Sequence, residues 1–217
     1  MALDTDFFRK VMGQFVTGVT IATTRSQAGI AGLTVNSFTS VSLHPLLVLI
    51  CVDARSQVLP FLREGGVFAV NILSQEQETL SNGFASQSEE RYVHFCHASY
   101  HVAATGSPIL DGNIGFIDAR VVAEYPGGDH VILLGQVEAM GYEGHTLLLQ
   151  GTNSERWTLL ESTAEANHTG SNGHSENARP QSSPLLYYQG RYHHLSRHYE
   201  HEHPELSPTP GQHGKGI

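Results

Sequence analysis

The stretch GLTVNSFTSVSLHPLLVLICVDARS, from Gly32 to Ser56, carries most of the information about the fold and the site. The run 32–43 alternates with a period of two, which predicts one strand, and the apolar run 46–52 predicts a second, with Pro45 between them. One face of the first strand is mostly small and polar, with Thr34, Asn36, Ser40 and Ser42, and Phe38 is its one large apolar member. Such a face is either a solvated strand surface or a surface that a ligand approaches closely.

The end of the same stretch, Asp53-Ala54-Arg55-Ser56, leaves the apolar strand and is predicted to enter a short helix over 57–64 with Ser56 as its N-cap. Free backbone N–H groups, a hydroxyl and the Arg55 guanidinium suit an anion such as phosphate. The simpler interpretation is an ordinary N-cap beside a surface arginine. Taken with the polar strand face, the pattern predicts a cradle for a phosphorylated, largely planar ligand. The sequence has neither a strand-linked GxGxxG nor a P-loop.

Composition limits the classes of partner. The 217 residues include 12 Lys and Arg against 21 Asp and Glu, for a formal net charge of -9. Because an acidic surface repels nucleic-acid backbones and anionic lipid, we expect neither nucleic acid nor a membrane as partner. No segment approaches the ~18 apolar residues of a membrane span, and the start of the chain does not read as a secretory leader. With two cysteines far apart, we expect a cytoplasmic protein.

The remaining sequence predicts many strands and few helices. Apolar residues recur at helical spacing after a cap at Asp4 or Thr5, and a capping box at Ser74 opens a helix toward Phe84. Since strands and helices do not alternate regularly, we expect a mainly antiparallel barrel. We expect one domain over 1–195, with a disordered insertion at about 161–183, and a flexible His, Pro and Gly rich tail at 196–217.

Several motifs in the right order resemble the flavin reductase-like family. The opening stretch resembles its flavin-binding signature, and three further segments agree: GGVFAVNILSQEQETLSNGFA (65–85), YPGGDHVILLGQVEAM (125–140) and SPLLYYQGRYHHL (183–195). The resemblance implies an FMN-binding split β-barrel, antiparallel and of Greek-key type, with a few short peripheral helices. It also implies reduction of FMN, or of FAD, by NADH or NADPH.

The resemblance also implies roles for particular residues. Four polar residues would lie along the flavin ring and ribityl chain: Thr34, Asn36, Ser37 and Ser40. Arg55 and Ser56 would lie at the flavin phosphate, in agreement with the physical interpretation of the same residues. Phe84 would be an aromatic residue near the flavin. His130 would lie close to the nicotinamide as the candidate catalytic residue, although a histidine after a Pro-Gly-Gly turn is often a loop residue with no role.

The function implied is an NAD(P)H-dependent flavin reductase. The protein would act as a homodimer and supply reduced flavin to a separate monooxygenase. A different class, a non-catalytic flavin-binding or redox-sensing protein on the same fold, remains open from the sequence. A metal site formed by the histidines of HHLSRHYEHEH, namely His194, His198, His201 and His203, is the weakest interpretation, because histidines in a flexible tail usually stay solvated. We therefore predict no metal.

Overall fold

The computed structural model of the protein describes residues 4–86, 98–142, 145–150, 156–160 and 182–195. The helices in these residues are α1 (Thr5–Met12), α2 (Leu59–Gly65), a 3-10 turn (Gln75–Gln77) and α3 (Glu78–Ala85). The strands are β1 (Thr17–Gly18), β2 (Thr20–Ser26), β3 (Gly29–Val35), β4 (Thr39–Leu43), β5 (Leu46–Asp53), β6 (Val67–Ile72), β7 (Tyr100–Val102), β8 (Pro108–Leu110), β9 (Gly115–Gly127), β10 (His130–Tyr142), β11 (His145–Gln150), β12 (Arg156–Leu160), β13 (Leu186–Tyr188) and β14 (Arg191–His193). The prediction of a mainly antiparallel β protein with a few short helices is confirmed.

The long hairpin formed by β9 and β10 is the centre of the main sheet. β10 pairs with β9 along its length, while its other edge pairs first with β5, over 130–136, and then with β11, over 139–142. From β9 the sheet continues through β6 and β2 to β3, and β4 pairs with β5. The pairings among the described strands do not close into a complete ring. Because β10 changes its neighbour partway, the sheet splits, and the register brings Asp53 opposite His130.

The alternating run predicted as one strand forms two. β3 ends at Val35 and β4 begins at Thr39, and a β-bulge between Ser40 and Ser42 interrupts the pairing of β4 with β5. The Ser37 hydroxyl donates to the Cys51 carbonyl at 2.8 Å and accepts from the Cys51 N–H at 3.2 Å. This side chain therefore holds the linker between the strands against β5 in place of a ladder hydrogen bond.

The core under the main sheet is closely packed around Phe68, which is fully buried. It is built from inward-facing aliphatic residues of β2, β3, β5, β6, β9 and β10, together with α2. Gly135 of β10 lies under the ring, where a Cβ would come within 2.5 Å of the Phe68 Cζ atom. A β-bulge in the β9–β10 pairing falls between Leu134 and Gly135. The glycine is thus required by the space available rather than by its φ angle.

A buried carboxylate, Asp118 of β9, fastens the loop before β8. The Thr105 N–H donates to Asp118 Oδ2 at 2.8 Å, and the Thr105 hydroxyl donates to Oδ1. Burial raises the pKa of Asp118, and these hydrogen bonds oppose the rise without cancelling it. The native state therefore binds a proton at Asp118 more readily than an unfolded chain does.

Helix α1 begins as predicted, with the Asp4 carboxylate accepting from the N–H groups of Asp6 at 3.0 Å and Phe7 at 3.2 Å. It buries none of its residues against the described part of the chain. A group of large apolar side chains at this end is instead exposed: Phe7, Phe8, Val11, Met12, Phe15 and Val16. The helical spacing was correctly predicted, whereas the single chain provides no core for that apolar face.

The C-terminal hairpin of β13 and β14 pairs with β1 and packs beside α3. The predicted insertion at 161–183 lies outside the described residues except for 182 and 183, and the Ser183 carbonyl accepts from the Gln75 N–H at 2.9 Å. The predicted tail, 196–217, also lies outside them. No helix in the described part of the chain is long and apolar enough to cross a membrane.

Candidate flavin site

A cavity of about 440 Å³ opens where β3, the end of β5, the end of α3 and the start of β10 meet. Its lining combines apolar residues with polar and charged ones: Leu33, Thr34, Val35, Asn36, Ser37, Cys51, Asp53, Arg55, Ser56, Gln57, Phe84, Ala85 and His130. A cavity of this size with a mixed apolar, polar and charged lining suits a small-molecule cofactor. Seven of the eight residues predicted from the sequence line it, and Ser40 does not.

Two of the predicted hydroxyl residues also hold the cavity wall together. The Thr34 hydroxyl donates to the Ser81 carbonyl at 2.6 Å, which ties β3 to α3. Ser37 ties the chain after β3 to β5, as described above. Asn36, between them in sequence, is exposed at the cavity. Ser40 is exposed on β4, opposite Val48, because the interruption after β3 carries it onto a different strand.

Arg55 lines the cavity just after the end of β5 and forms an ion pair with Asp53. The Arg55 Nε atom donates to Asp53 Oδ1 at 3.2 Å and Nη2 donates to Oδ2 at 2.9 Å, while the Arg55 backbone N–H also donates to Oδ1, at 2.8 Å. The side-chain and backbone hydrogen bonds from Arg55 lower the pKa of Asp53 to about 2. The Arg55 side chain is 84% exposed. The guanidinium is therefore accessible, but one edge of it already has a carboxylate partner.

Ser56 has a different local role from the one predicted. Helix α2 begins at Leu59, and its N-cap is Val58, which makes no side-chain capping hydrogen bond. The Ser56 hydroxyl instead accepts from the Val58 N–H at 3.3 Å, so it closes a turn before the helix. The prediction that Ser56 caps the helix is therefore wrong. Ser56 nevertheless lines the cavity beside Arg55.

His130 is the first residue of β10, with its ring at the cavity and its side chain 44% exposed. Its Nδ1 atom is 2.8 Å from Oδ1 of Asp129. The His130 hydrogen bond is the main reason why the pKa of Asp129 is below its usual range. An ionised carboxylate only accepts hydrogen bonds, so Nδ1 carries the proton, and Nε2 is the nitrogen left for a ligand.

Phe84 is fully buried, and it is among the residues that line the cavity. It packs in a second core cluster, against which Tyr187 and Tyr192 of the C-terminal hairpin also pack. The hydroxyl oxygens of Ser81 and Tyr192 lie 2.8 Å apart, which ties α3 to the C-terminal hairpin. The aromatic residue predicted near the flavin is thus a rigid part of the wall.

Sequence reasoning missed two of the lining residues that bear on chemistry. Cys51 lines the cavity although it lies within an apolar run, and burial raises the pKa of its thiol. Asp53 also lines it, at the end of the same run. The signal was present in the sequence, since an aspartate two residues before an arginine at a strand end can accept both its backbone N–H and its side chain.

Of the four histidines in HHLSRHYEHEH named as a candidate metal site, only His194 lies within the described residues. His194 Nε2 lies 3.0 Å from Glu78 Oε2, and the other three histidines lie outside the described residues. Within the described part of the chain, no three His, Cys, Asp or Glu residues are grouped as metal ligands would be.

The split antiparallel sheet carries a cavity whose lining combines apolar residues, hydroxyls and a guanidinium, the chemistry that a phosphorylated planar cofactor needs. The chain belongs to the flavin reductase like domain family, whose model matches residues 12–196. The family predicted from the sequence is therefore confirmed, and with it a flavin reductase on a mainly antiparallel β fold.

Individual relatives agree with this assignment. A flavin reductase of Pseudomonas putida is 38% identical over 143 residues, which cover 65% of this chain and 82% of the relative. An NADH-dependent flavin reductase of a Rhodococcus species is 39% identical over 145 residues, covering 64% and 79%. Among solved structures, nitrilotriacetate monooxygenase component B from Mycobacterium thermoresistibile superposes with a TM-score of 0.68 and 29% identity, covering 96% of this chain and 92% of that one.

Proposed function

We propose that this flavin reductase binds FMN, or FAD, in the cavity at Arg55 and reduces it with NADH or NADPH. The reduced flavin is then released to a separate monooxygenase, and the enzyme works in the cytoplasm as a homodimer. The observation that carries the proposal is the single cavity in which Arg55, Ser56, Phe84 and His130 meet the polar end of β3. The partner is supported by the similarity to a monooxygenase component.

The cavity lining fits a flavin nucleotide in its chemistry. The Arg55 guanidinium and the Ser56 hydroxyl supply donors for a phosphate, and the exposed Asn36 amide supplies donors and acceptors for a ribityl chain. Three apolar residues, Leu33, Val35 and Phe84, belong both to the lining and to the packed core, which favours a ring system against that part of the cavity. The flavin supplies the chemistry itself by accepting hydride at its ring, so the protein must hold two rings together and control charge.

His130 is placed to act on charge and orientation. Because Asp129 holds Nδ1–H, the imidazole ring has a preferred orientation and tautomer before any ligand binds. Its Nε2 edge can then contact the nicotinamide amide, or the imidazolium form can stabilise negative charge that grows on the reduced ring. Neither role requires His130 to give up a proton.

The homodimer part of the proposal is supported by α1. Phe7 and Phe8 are each 66% exposed and Phe15 is 70% exposed, which is a large cost for apolar side chains that remain in water. A second copy of the chain would cover this face. Analytical ultracentrifugation should give a dimer for the wild type and a larger monomer fraction for Phe8→Glu. A monomeric wild type would contradict this part of the proposal.

The test of function is aerobic oxidation of NADH and NADPH with FMN, FAD or riboflavin added, comparing the wild type with His130→Ala. We expect flavin-dependent turnover in the wild type and about a tenfold or larger loss of kcat in the variant, with flavin affinity nearly unchanged. His101→Ala is the matched control, because His101 also pairs with an aspartate, Asp111, at 3.0 Å, but does not line the cavity. Flavin binding without nicotinamide oxidation would instead support a flavin-binding or redox-sensing protein.

A further inference from the structure

Asp53 occupies the edge of Arg55 that would best recognise a phosphate. The guanidinium uses Nε and Nη2 on the two carboxylate oxygens, which is the forked geometry that arginine also uses for phosphate. Both residues line the cavity, and the Asp53 side chain is 33% exposed there. A phosphate at this end must therefore displace the carboxylate or accept only the N–H groups that Asp53 leaves free.

The other charges at this end do not compensate for Asp53. Within the described residues of the lining, Arg55 is the sole arginine or lysine. Asp129 is a second carboxylate near Arg55, and its closest partner is His130. A flavin phosphate carries about -1.5 to -2 charge at neutral pH, so it meets one cation that is already paired.

We infer that Asp53 is a specificity-determining residue that weakens the binding of phosphorylated flavins by competing for Arg55. This inference rests on the proposed placement of the flavin phosphate at Arg55. Its consequence is that a flavin is held loosely enough to leave after reduction, as delivery to another enzyme requires. The exposed Asp53–Arg55 pair adds little to fold stability, so the structure does not need this carboxylate for folding.

The test is Asp53→Asn. Asparagine keeps an oxygen that can accept the Arg55 backbone N–H, so the turn after β5 is preserved while the negative charge is removed. Dissociation constants for FMN and riboflavin are measured by quenching of flavin fluorescence, at low and at high ionic strength. Riboflavin lacks the phosphate and is therefore the internal control. Asp129→Asn controls for the loss of a carboxylate that pairs with His130 instead of Arg55.

We expect Asp53→Asn to lower the FMN dissociation constant about five- to tenfold at low ionic strength, with riboflavin changed by less than about twofold. The gain should shrink at high ionic strength and disappear in an Arg55→Ala background. An FMN affinity that is unchanged or weaker would overturn the inference, since Asp53 would then be holding Arg55 in place for the phosphate. An equal gain in the Arg55→Ala background would overturn it too, because the effect would be general repulsion. The wild type should bind FMN more tightly than riboflavin, and Arg55→Ala should bind the two alike. A wild type that binds the two alike would instead contradict the proposed phosphate placement.

Discussion

Gly135→Ala should destabilise the protein through a steric clash, chiefly with the ring of Phe68. The added Cβ would lie 2.5 Å from Phe68 Cζ, 2.7 Å from Phe68 Cε1 and 3.0 Å from the Ala119 Cβ atom. Phe68 is fully buried, so its ring has no solvent to move into. Overpacking of this kind costs about 1–3 kcal/mol, and the two short contacts to one ring place the expected loss near 2–3 kcal/mol. At about 2–4 °C per kcal/mol, Tm should fall by roughly 4–12 °C.

The assay is equilibrium unfolding in urea followed by circular dichroism at one protein concentration, because oligomers change apparent stability with concentration. Gly18→Ala is the matched control, since no atom lies within 4 Å of the Cβ position there, and it should stay within about 0.5 kcal/mol of wild type. Phe68→Leu should recover part of the loss in the Gly135→Ala background, with a coupling of at least about 1 kcal/mol. Wild-type stability for Gly135→Ala, or strictly additive losses in the double variant, would refute the steric argument.

Three further predictions concern the cavity wall and the buried carboxylate. Phe84→Ala should lower the free energy of unfolding in urea by about 3–5 kcal/mol and weaken flavin binding. Phe84→Leu should cause a smaller loss of stability and a smaller loss of flavin affinity. Thr34→Val should cost about 0.5–1.5 kcal/mol in the same assay by removing the hydroxyl that donates to the Ser81 carbonyl, and Thr34→Ser should not, because it keeps the donor. The pKa of Asp118 is raised above its ordinary value of 3.8, so the native state holds more protons than the unfolded chain between those two pKa values. Stability should therefore fall as pH rises through that window, and Asp118→Asn should lack this slope in unfolding measured across acidic to neutral pH.

Two helix starts that were predicted from local sequence patterns are confirmed. Asp4 caps α1, and Ser74 opens the helical segment after β6, with its N–H donating to Gln77 Oε1 at 3.1 Å. At Ser56 the same kind of pattern gave a wrong prediction. A serine before a helix can cap it or close a turn ahead of it, and only the positions of Val58 and Leu59 show that it closes a turn.

Ser40 lies outside the cavity lining for a physical reason. Counting alternate residues assigns a face correctly only while a strand is continuous, and the run from Thr34 to Ser42 contains no glycine or proline to mark an interruption. The interruption is made by tertiary contacts, in which Ser37 bonds to both backbone groups of Cys51 on β5. The residues just before that point, from Leu33 to Ser37, line the cavity, and those after it belong to another strand.

The sequence by itself determined the family and the mainly antiparallel fold, because ordered motifs and short-range periodicity specify strands and turns that lie near in sequence. It also predicted seven of the thirteen residues that line the cavity, through the resemblance and the polar strand pattern. The pairing of Asp53 with Arg55 is local, two residues apart, and its signal is present in the sequence. The tertiary structure alone decided that Asp53 lies opposite His130, through the register of β5 with β10. Such a pairing depends on which strand ends meet when the sheet splits, and no local pattern encodes that meeting.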